Sequence, residues 1–262
     1  MSDTMLKVGF IGYGNMASAM AKGLVDFDCI EPTQIYACAK NYEKLVKNCA
    51  ALGIQPCKSA EEVVQKSDMV IIAVKPYLVS EVVKDLDLRG KIVISVAVNV
   101  RYDDYEEIFP NFIHHLSILP NTPVSVGEGI FICEAKHSLT KEEWNQFNYL
   151  FGKIALIQSV ETRLMGIAGT IAGCTPAYAA MYLEAMADAA VKHGLPRQIA
   201  YDLSAQVMIG TGKLYLVTKT HPGAMKDAVC SPGGTTIKGV SALEKNGFRG
   251  TIISAIDAVE GE

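Results

Sequence analysis

The stretch Lys7-Val-Gly-Phe-Ile-Gly-Tyr-Gly-Asn-Met-Ala-Ser18 constrains this chain more than any other. It reads as a short apolar strand, a glycine turn and the opening of a helix, so the backbone must extend, turn sharply and coil back. Gly12-x-Gly14-x-x-Ala17 has the spacing of a dinucleotide-binding turn in the variant with alanine at the third position. Gly12 allows the tight turn, and Gly14 leaves no side chain where a pyrophosphate must approach the backbone. Ala17 lets the helix pack closely on the strand, and the free N–H groups of the first turn face the phosphates. Glycine turns between strand and helix also occur in α/β proteins that bind no nucleotide. Here the pattern follows Val8–Ile11 and precedes the apolar positions Met16, Met20 and Leu24, a context that favours the nucleotide.

From that turn to about residue 160, short apolar runs alternate with helical patterns, which implies parallel strands joined by crossover helices. The expected strands are Val8–Ile11, Gln34–Cys38, Asp68–Val74, Lys91–Val98, Phe112–Leu119, Ile130–Cys133 and Ile154–Gln158. Helices are expected at Ala17–Asp26, Tyr42–Leu52, Glu61–Lys66, Ser80–Asp85 and Tyr102–Ile108, with another opened by the capping box Thr140-Lys-Glu-Glu143. Beyond residue 160 the strand signals stop. Arg163–Gly173, Ala177–His193, Arg197–Thr218, Pro222–Val229, Thr236–Lys245 and Gly250–Ala258 all have helical spacing. Gly194 suits a C-terminal cap and Pro196 a helix start. The expected division is 1–160, an α/β domain, and 161–262, an all-α domain.

Composition narrows the function classes. With half of its 262 residues apolar and a net charge of −4, the chain can bury a sizeable core and shows no lysine/arginine stripe for nucleic acid. The cysteine count is odd, at seven, and lacks CxxC spacing; with no signal-peptide pattern at the N-terminus, the expectation is reduced thiols in a cytoplasm. Leu164–Leu183 is twenty residues without a charge, long enough to span a bilayer. Gly166, Gly169, Gly173 and Pro176 interrupt it and no basic flank follows, so a helix pair buried at a packed interface is expected in place of a membrane span.

Several residues can carry chemistry. Ala37-Cys-Ala-Lys-Asn41 ends the second strand without the acid that usually bonds the ribose 2′-hydroxyl of NAD. Lys40 and Asn41 can meet a 2′-phosphate instead, which favours NADP and keeps NAD possible; a solvated Lys40 is the bland alternative. In a doubly wound sheet, Lys75 of Ala73-Val-Lys-Pro76 and Asn99 fall at strand ends that line the ligand crevice. Asn121 and Thr122 of Leu119-Pro-Asn-Thr-Pro123 either join that crevice or satisfy local backbone groups. Far downstream, Lys226-Asp-Ala-Val-Cys-Ser-Pro-Gly-Gly-Thr-Thr-Ile-Lys-Gly239 places a glycine pair and two threonines before a helix. Thr235 or Thr236 can cap that helix while free N–H groups receive a carboxylate, and an ordinary capped loop is the alternative. Cys230 has no identifiable base to activate it and reads as a small packed thiol. His114 and His115 point to opposite faces of a strand, so no metal site is expected.

Together these residues resemble the pyrroline-5-carboxylate reductase family, from Val8 to about Ala258. The resemblance is carried by Gly9-Phe-Ile-Gly-Tyr-Gly-Asn-Met-Ala17, Ala73-Val-Lys-Pro76, Pro120-Asn-Thr-Pro123, Pro176-Ala-Tyr178, Glu184-Ala-Met-Ala-Asp-Ala189 and Gly194-Leu-Pro196. His221-Pro222, Lys226-Asp227 and Ser231-Pro-Gly-Gly-Thr-Thr236 complete it, the last being highly specific to the family. It implies a Rossmann-type dinucleotide-binding domain followed by an all-α dimerisation domain that interlocks with a second copy, with higher oligomers open. The implied reaction is hydride transfer from NADPH to the C=N carbon of 1-pyrroline-5-carboxylate, giving proline. The implied cofactor contacts are Ile11, Gly12, Tyr13, Gly14, Asn15, Met16, Ala39, Lys40, Asn41, Ala73, Val74, Lys75, Pro76, Ala97, Asn99 and Asn121. Val229, Ser231, Gly233, Gly234, Thr235 and Thr236 would hold the substrate, with Thr236 and Lys75 closest to the chemistry.

The chain departs from the family pattern in three places. Ala97-Val98-Asn99 stands for Ala-Ala-Gly, Ser117 for an arginine, and Cys174-Thr175 for Ser-Gly. Thr175 puts a side chain where glycine allows a close approach. These changes keep open a related imine or 2-oxoacid reductase, or a nucleotide-binding dimer with little catalysis.

Overall fold

A computed structural model describes residues 6–110 and 112–261; residues 1–5 and 262, the outermost of the two expected domains, lie outside it, as does 111. The described chain forms two compact units, divided between Gly173 and Cys174.

The first unit is built on β1 (Val8–Ile11), β2 (Ile35–Cys38), β3 (Gln55–Pro56), β4 (Met69–Ile72), β5 (Ile92–Ser95), β6 (His114–Pro120), β7 (Gly129–Glu134) and β8 (Ala155–Val160). They form one sheet in the order β3-β2-β1-β4-β5-β6-β7-β8. The helices are α1 (Asn15–Asp26), α2 (Tyr42–Leu52), α3 (Ala60–Lys66), α4 (Val79–Val83), α5 (Tyr102–Ile108), α6 (Lys141–Phe151) and α7 (Met165–Gly173). Strands β1, β4 and β5 are buried on both faces, which explains their continuous apolar runs. Val8, Phe10, Met69, Ile71, Ile92 and Ile94 join the core beneath α1, α2 and α6. Ile11, Val70, Ile72 and Val93 alternate into a second core with residues of α3, α4 and α5.

The expectation of parallel strands throughout needs one correction: β6 and β7 run antiparallel, with Ile118 opposite Cys133. Only a short segment with a 3-10 turn, Thr122–Val126, joins them. Too short for a crossover helix, it reverses the chain, whereas α6 provides the crossover that returns β8 parallel to β7. Several strands are also shorter than their apolar runs, as β4 stops at Ile72 and β5 at Ser95. β3, a two-residue strand, has no apolar run to announce it. His114 and His115 do face opposite ways. His114 Nδ1 lies 2.9 Å from Glu143 of α6, while buried His115 reaches Glu106 of α5 through Nε2 at 2.9 Å.

The second unit is all helix: α8 (Thr175–Lys192), α9 (Arg197–Thr218), α10 (Pro222–Ala228), α11 (Thr235–Lys245) and α12 (Phe248–Glu260). Gly194 takes a φ of 94° after α8, as its role at a helix end demands. Among the described residues of this unit, Ala187, Ala200 and Ser204 alone are buried. Leu203, Val207, Ile209, Leu214, Leu216, Val217 and Ile253 are large, apolar and exposed. The run from Thr162 to Lys192 has the length and hydropathy of a membrane span, with 17% of its most apolar window buried.

One glycine sets how closely α1 can approach the sheet's flank. A Cβ on Gly23 would stand 2.3 Å from the Val124 carbonyl oxygen, inside the 3-10 turn. Gly23→Ala should gain about 1 kcal/mol of helix propensity. It should lose more, about 1–3 kcal/mol, because the obstructing atom is backbone and cannot rotate away. The expected outcome in a thermal melt is a midpoint lowered by several degrees; an unchanged or raised midpoint would show that α1 can move out.

Candidate active site

The parallel strands β1, β2, β4 and β5 finish level with one another. Ile11 pairs with Cys38 and with Ile72, and Ile72 pairs with Ser95. The ladder then runs one step past the strands: Gly12 N–H donates to Cys38 O at 3.0 Å, Ala73 N–H to Ile11 O at 2.8 Å, and Val96 N–H to Ile72 O at 3.0 Å. Gly12, Ala39, Ala73 and Ala97 therefore open their loops along one edge of the sheet. This is the carboxyl edge, where the strand order reverses between β1 and β4, the place at which open α/β sheets bind ligands.

The glycine turn is shaped for an anion. Gly12 has a φ of 91°, and a Cβ there would lie 2.6 Å from Ala73 O, so only glycine lets β1 turn beside β4. Gly14 is the N-cap of α1, is exposed, and would carry a Cβ with nothing within 4 Å. The first intrahelical bond is made by Ser18 N–H to Gly14 O at 2.9 Å. The N–H groups of Asn15, Met16 and Ala17 thus have no intrahelical acceptor, and no side chain caps them. Open space, free donors and the positive end of a twelve-residue helix fit a pyrophosphate.

Tyr13 is present through its backbone, because its ring is 8% exposed and packs edge-on to Phe10 at 6.2 Å. Burial pushes its hydroxyl up to about 12. Burial likewise pushes the Cys38 thiol up to about 11, so the end of β2 brings no negative charge. Lys40 is exposed at that end, and Asn41 caps α2, its Oδ1 accepting from Lys44 N–H at 2.9 Å. Lys75 is exposed, held extended by Pro76, which opens a 3-10 turn. Asn99, also exposed, has a φ of 63°, a left-handed conformation that asparagine tolerates.

Asn121 has a different occupation. It is buried, its Nδ2 donates to Ala172 O at 2.9 Å, and its Oδ1 accepts from Ile130 N–H at 2.7 Å. Its side chain therefore fastens α7 to the sheet.

In the second unit, the loop after α10 closes through Gly234 N–H donating to Ser231 O at 3.0 Å. Gly233 has a φ of 68°, and a Cβ on Gly234 would strike Ser231 Oγ at 2.4 Å. The expectation that Thr235 or Thr236 caps the following helix is corrected: α11 begins at Thr235, and Gly234 is its N-cap with no side-chain bond. Both threonines instead sit in the first turn, exposed beside N–H groups without intrahelical acceptors. Val229 and Ser231 are exposed on the same loop, and Cys230 is half-buried.

Comparison with known proteins decides the family. Residues 162–261 match the family model described as pyrroline-5-carboxylate reductase dimerisation, and residues 7–99 match that described as NADP oxidoreductase coenzyme F420-dependent. Over 258 residues the chain is 44% identical to a pyrroline-5-carboxylate reductase of Treponema pallidum, covering 97% of this chain and 98% of that one. The chain belongs to the pyrroline-5-carboxylate reductase family. A pyrroline-5-carboxylate reductase of Escherichia coli is 35% identical over 253 residues, covering 95% of this chain and 94% of that one. The crystal structure of the Plasmodium falciparum pyrroline carboxylate reductase with NADP bound superposes with a TM-score of 0.84 at 29% identity, covering 97% of this chain and 95% of that one. Against the family's sequence pattern, Ser117 is buried with no hydrogen-bond partner for its hydroxyl, in β6 beside Ser95.

Two glycine substitutions separate shape from binding. Gly14→Ala meets open space, so its melting midpoint should stay within a few degrees while NADPH affinity falls about tenfold or more, as a methyl group enters the phosphate approach. Gly12→Ala should lower the midpoint itself, since it strains φ and collides with Ala73 O. Equal effects of the two on stability would show that the turn is not built as described.

Proposed function

We propose that this chain reduces 1-pyrroline-5-carboxylate to L-proline, the last step of proline biosynthesis. The observation that carries the proposal is a pair of anion cradles of different kinds, one at the start of α1 and one at the start of α11. A dinucleotide needs the first, and a small substrate bearing a carboxylate needs the second.

NADPH, when bound, supplies the hydride. The chain's own task is to hold, orient and protonate. Gly12, Gly14 and the first N–H groups of α1 receive the pyrophosphate, with Ile11, Tyr13, Asn15 and Met16 contributing through the same turn. Lys40 offers the positive charge for a 2′-phosphate, with Ala39 and the amide end of Asn41 beside it. Ala73, Val74, Lys75, Pro76, Ala97 and Asn99 line the nicotinamide end. Ser231, Gly233, Thr235 and Thr236 take the substrate carboxylate on backbone N–H groups, Gly234 closes the loop that presents them through its bond to Ser231 O, and Val229 lies against the ring. The Thr236 hydroxyl bonds the ring nitrogen, keeping it protonated so that carbon is electron-poor when hydride arrives. Lys75, exposed at the end of its strand, stands with Thr236 closest to the chemistry, on the nicotinamide side.

Division by role follows 1–160 for the dinucleotide and 161–262 for assembly and substrate. The exposed apolar residues of the second unit are those of a surface covered by a second copy, in an interlocked homodimer, and the charge-free run after Leu164 lies within that assembly and not in a lipid bilayer. The seven cysteines are free thiols in the structure, in keeping with a reducing cytoplasm.

The decisive measurement is oxidation of NADPH by the purified protein on adding pyrroline-5-carboxylate, repeated with NADH. Turnover with a preference for NADPH is expected, and absence of turnover with either cofactor would overturn the proposal. Thr236→Val should lower kcat/KM for the imine about a hundredfold, as removal of a positioned hydrogen-bonding group at a reacting centre does, with NADPH affinity unchanged. Lost NADPH binding would place Thr236 at the wrong ligand.

A further inference from the structure

The loop from Val96 to Arg101 presents Asn99 at the carboxyl edge of the sheet, in a left-handed conformation that its surroundings must hold. At its start, the Ser95 hydroxyl bonds the Tyr105 hydroxyl of α5 and accepts from Ala97 N–H at 3.2 Å. At its end, Asp104 Oδ2 accepts from Arg101 N–H at 2.7 Å. The next N–H in line, that of Tyr102, is taken by a residue from across the sheet. Glu134 Oε2 accepts it at 2.8 Å, and Glu134 Oε1 accepts from the Thr162 hydroxyl at 2.7 Å.

Glu134 is 0% exposed, at the end of β7 and opposite the register position of Ser117. Its carboxylate oxygens accept from a backbone N–H and a hydroxyl, not from a cation. Taking a carboxylate out of water is costly, and for stability alone an apolar residue of similar volume is often as good or better. What an apolar residue lacks is the ability to grip two donors at fixed points. The donors here belong to the end of the Asn99 loop and to the first residue of the segment that matches the dimerisation model.

We infer that Glu134 is a positioning residue for the cofactor: its buried carboxylate fixes the loop bearing Asn99 by holding the Tyr102 N–H, and Thr162 locks the carboxylate in place. The inference rests on the proposed placement of the nicotinamide beside Ala97 and Asn99.

The test is a fluorescence titration of the full chain with NADPH and no substrate, alongside melting curves. Glu134→Leu should weaken NADPH binding about tenfold, the size of one lost hydrogen bond to a charged group, with a melting midpoint equal to or above that of the unaltered chain. Glu134→Gln should bind within about threefold of the unaltered chain, because its amide can still accept from Tyr102 while donating to the Thr162 oxygen. Thr162→Val should weaken NADPH by a smaller factor than Glu134→Leu, and Thr162→Ser should restore it. Glu134→Leu that folds and binds NADPH normally would overturn the inference. Should that variant fail to fold, Thr162→Val with unaltered NADPH binding would overturn it instead. Because no substrate is present, failure here leaves the reductase assignment standing, whereas turnover absent from the unaltered chain would count against that assignment alone.

Discussion

The hydrogen bonds that clamp β1 between β2 and β4 govern everything at the ligand edge. Val8–Ile11 is short, yet it pairs along its whole length on both sides. That double pairing makes the strands end at one level, and level ends let separate loops gather around a single ligand. The glycine turn adds its own condition. Gly12 must take positive φ within contact of Ala73, so the same residue that allows the turn also fixes the spacing between β1 and β4. Strand pairing thus sets where the loops start, and the absent Cβ sets how near they can come.

How much of this was legible in the sequence depends on the range of the interaction involved. Helix signals set by local chemistry were readable. The Thr140–Glu143 capping box forms with both bonds present, and α2 and α9 take the bounds that their apolar spacing implies. Strand ends were less so, because half-buried Val74 and exposed Val98 prolong the apolar pattern in sequence after pairing has stopped. The reversal at β7 was hidden because strand direction is decided by a connection's length and path, and alternation looks alike in either sense.

At the candidate site, the same distinction holds. Gly12 and Gly14 declare themselves by spacing, since their demand is on local backbone. Asn121 was expected among the cofactor contacts by the family resemblance, and its carboxamide is engaged by Ile130, nine residues on, and by Ala172, fifty-one residues on, a pairing that no local signal announces. Glu134 went unnoticed for the converse reason. The one available sign was an acid ending the apolar run Gly129–Cys133, and nothing local indicates that it will be fully buried with Tyr102 and Thr162 for partners.

The helices of the second unit bury very little within their own chain. In the assembly proposed above, the final apolar burial of this half waits for an encounter between copies. Stability then carries a concentration term that no single-chain interaction can replace, and dilution acts on it as a denaturant does. A newly made chain in a cell where it is scarce would hold a finished nucleotide domain beside an unfinished helical one. Under that assembly, abundance would act through mass action on how much of the protein is fully folded.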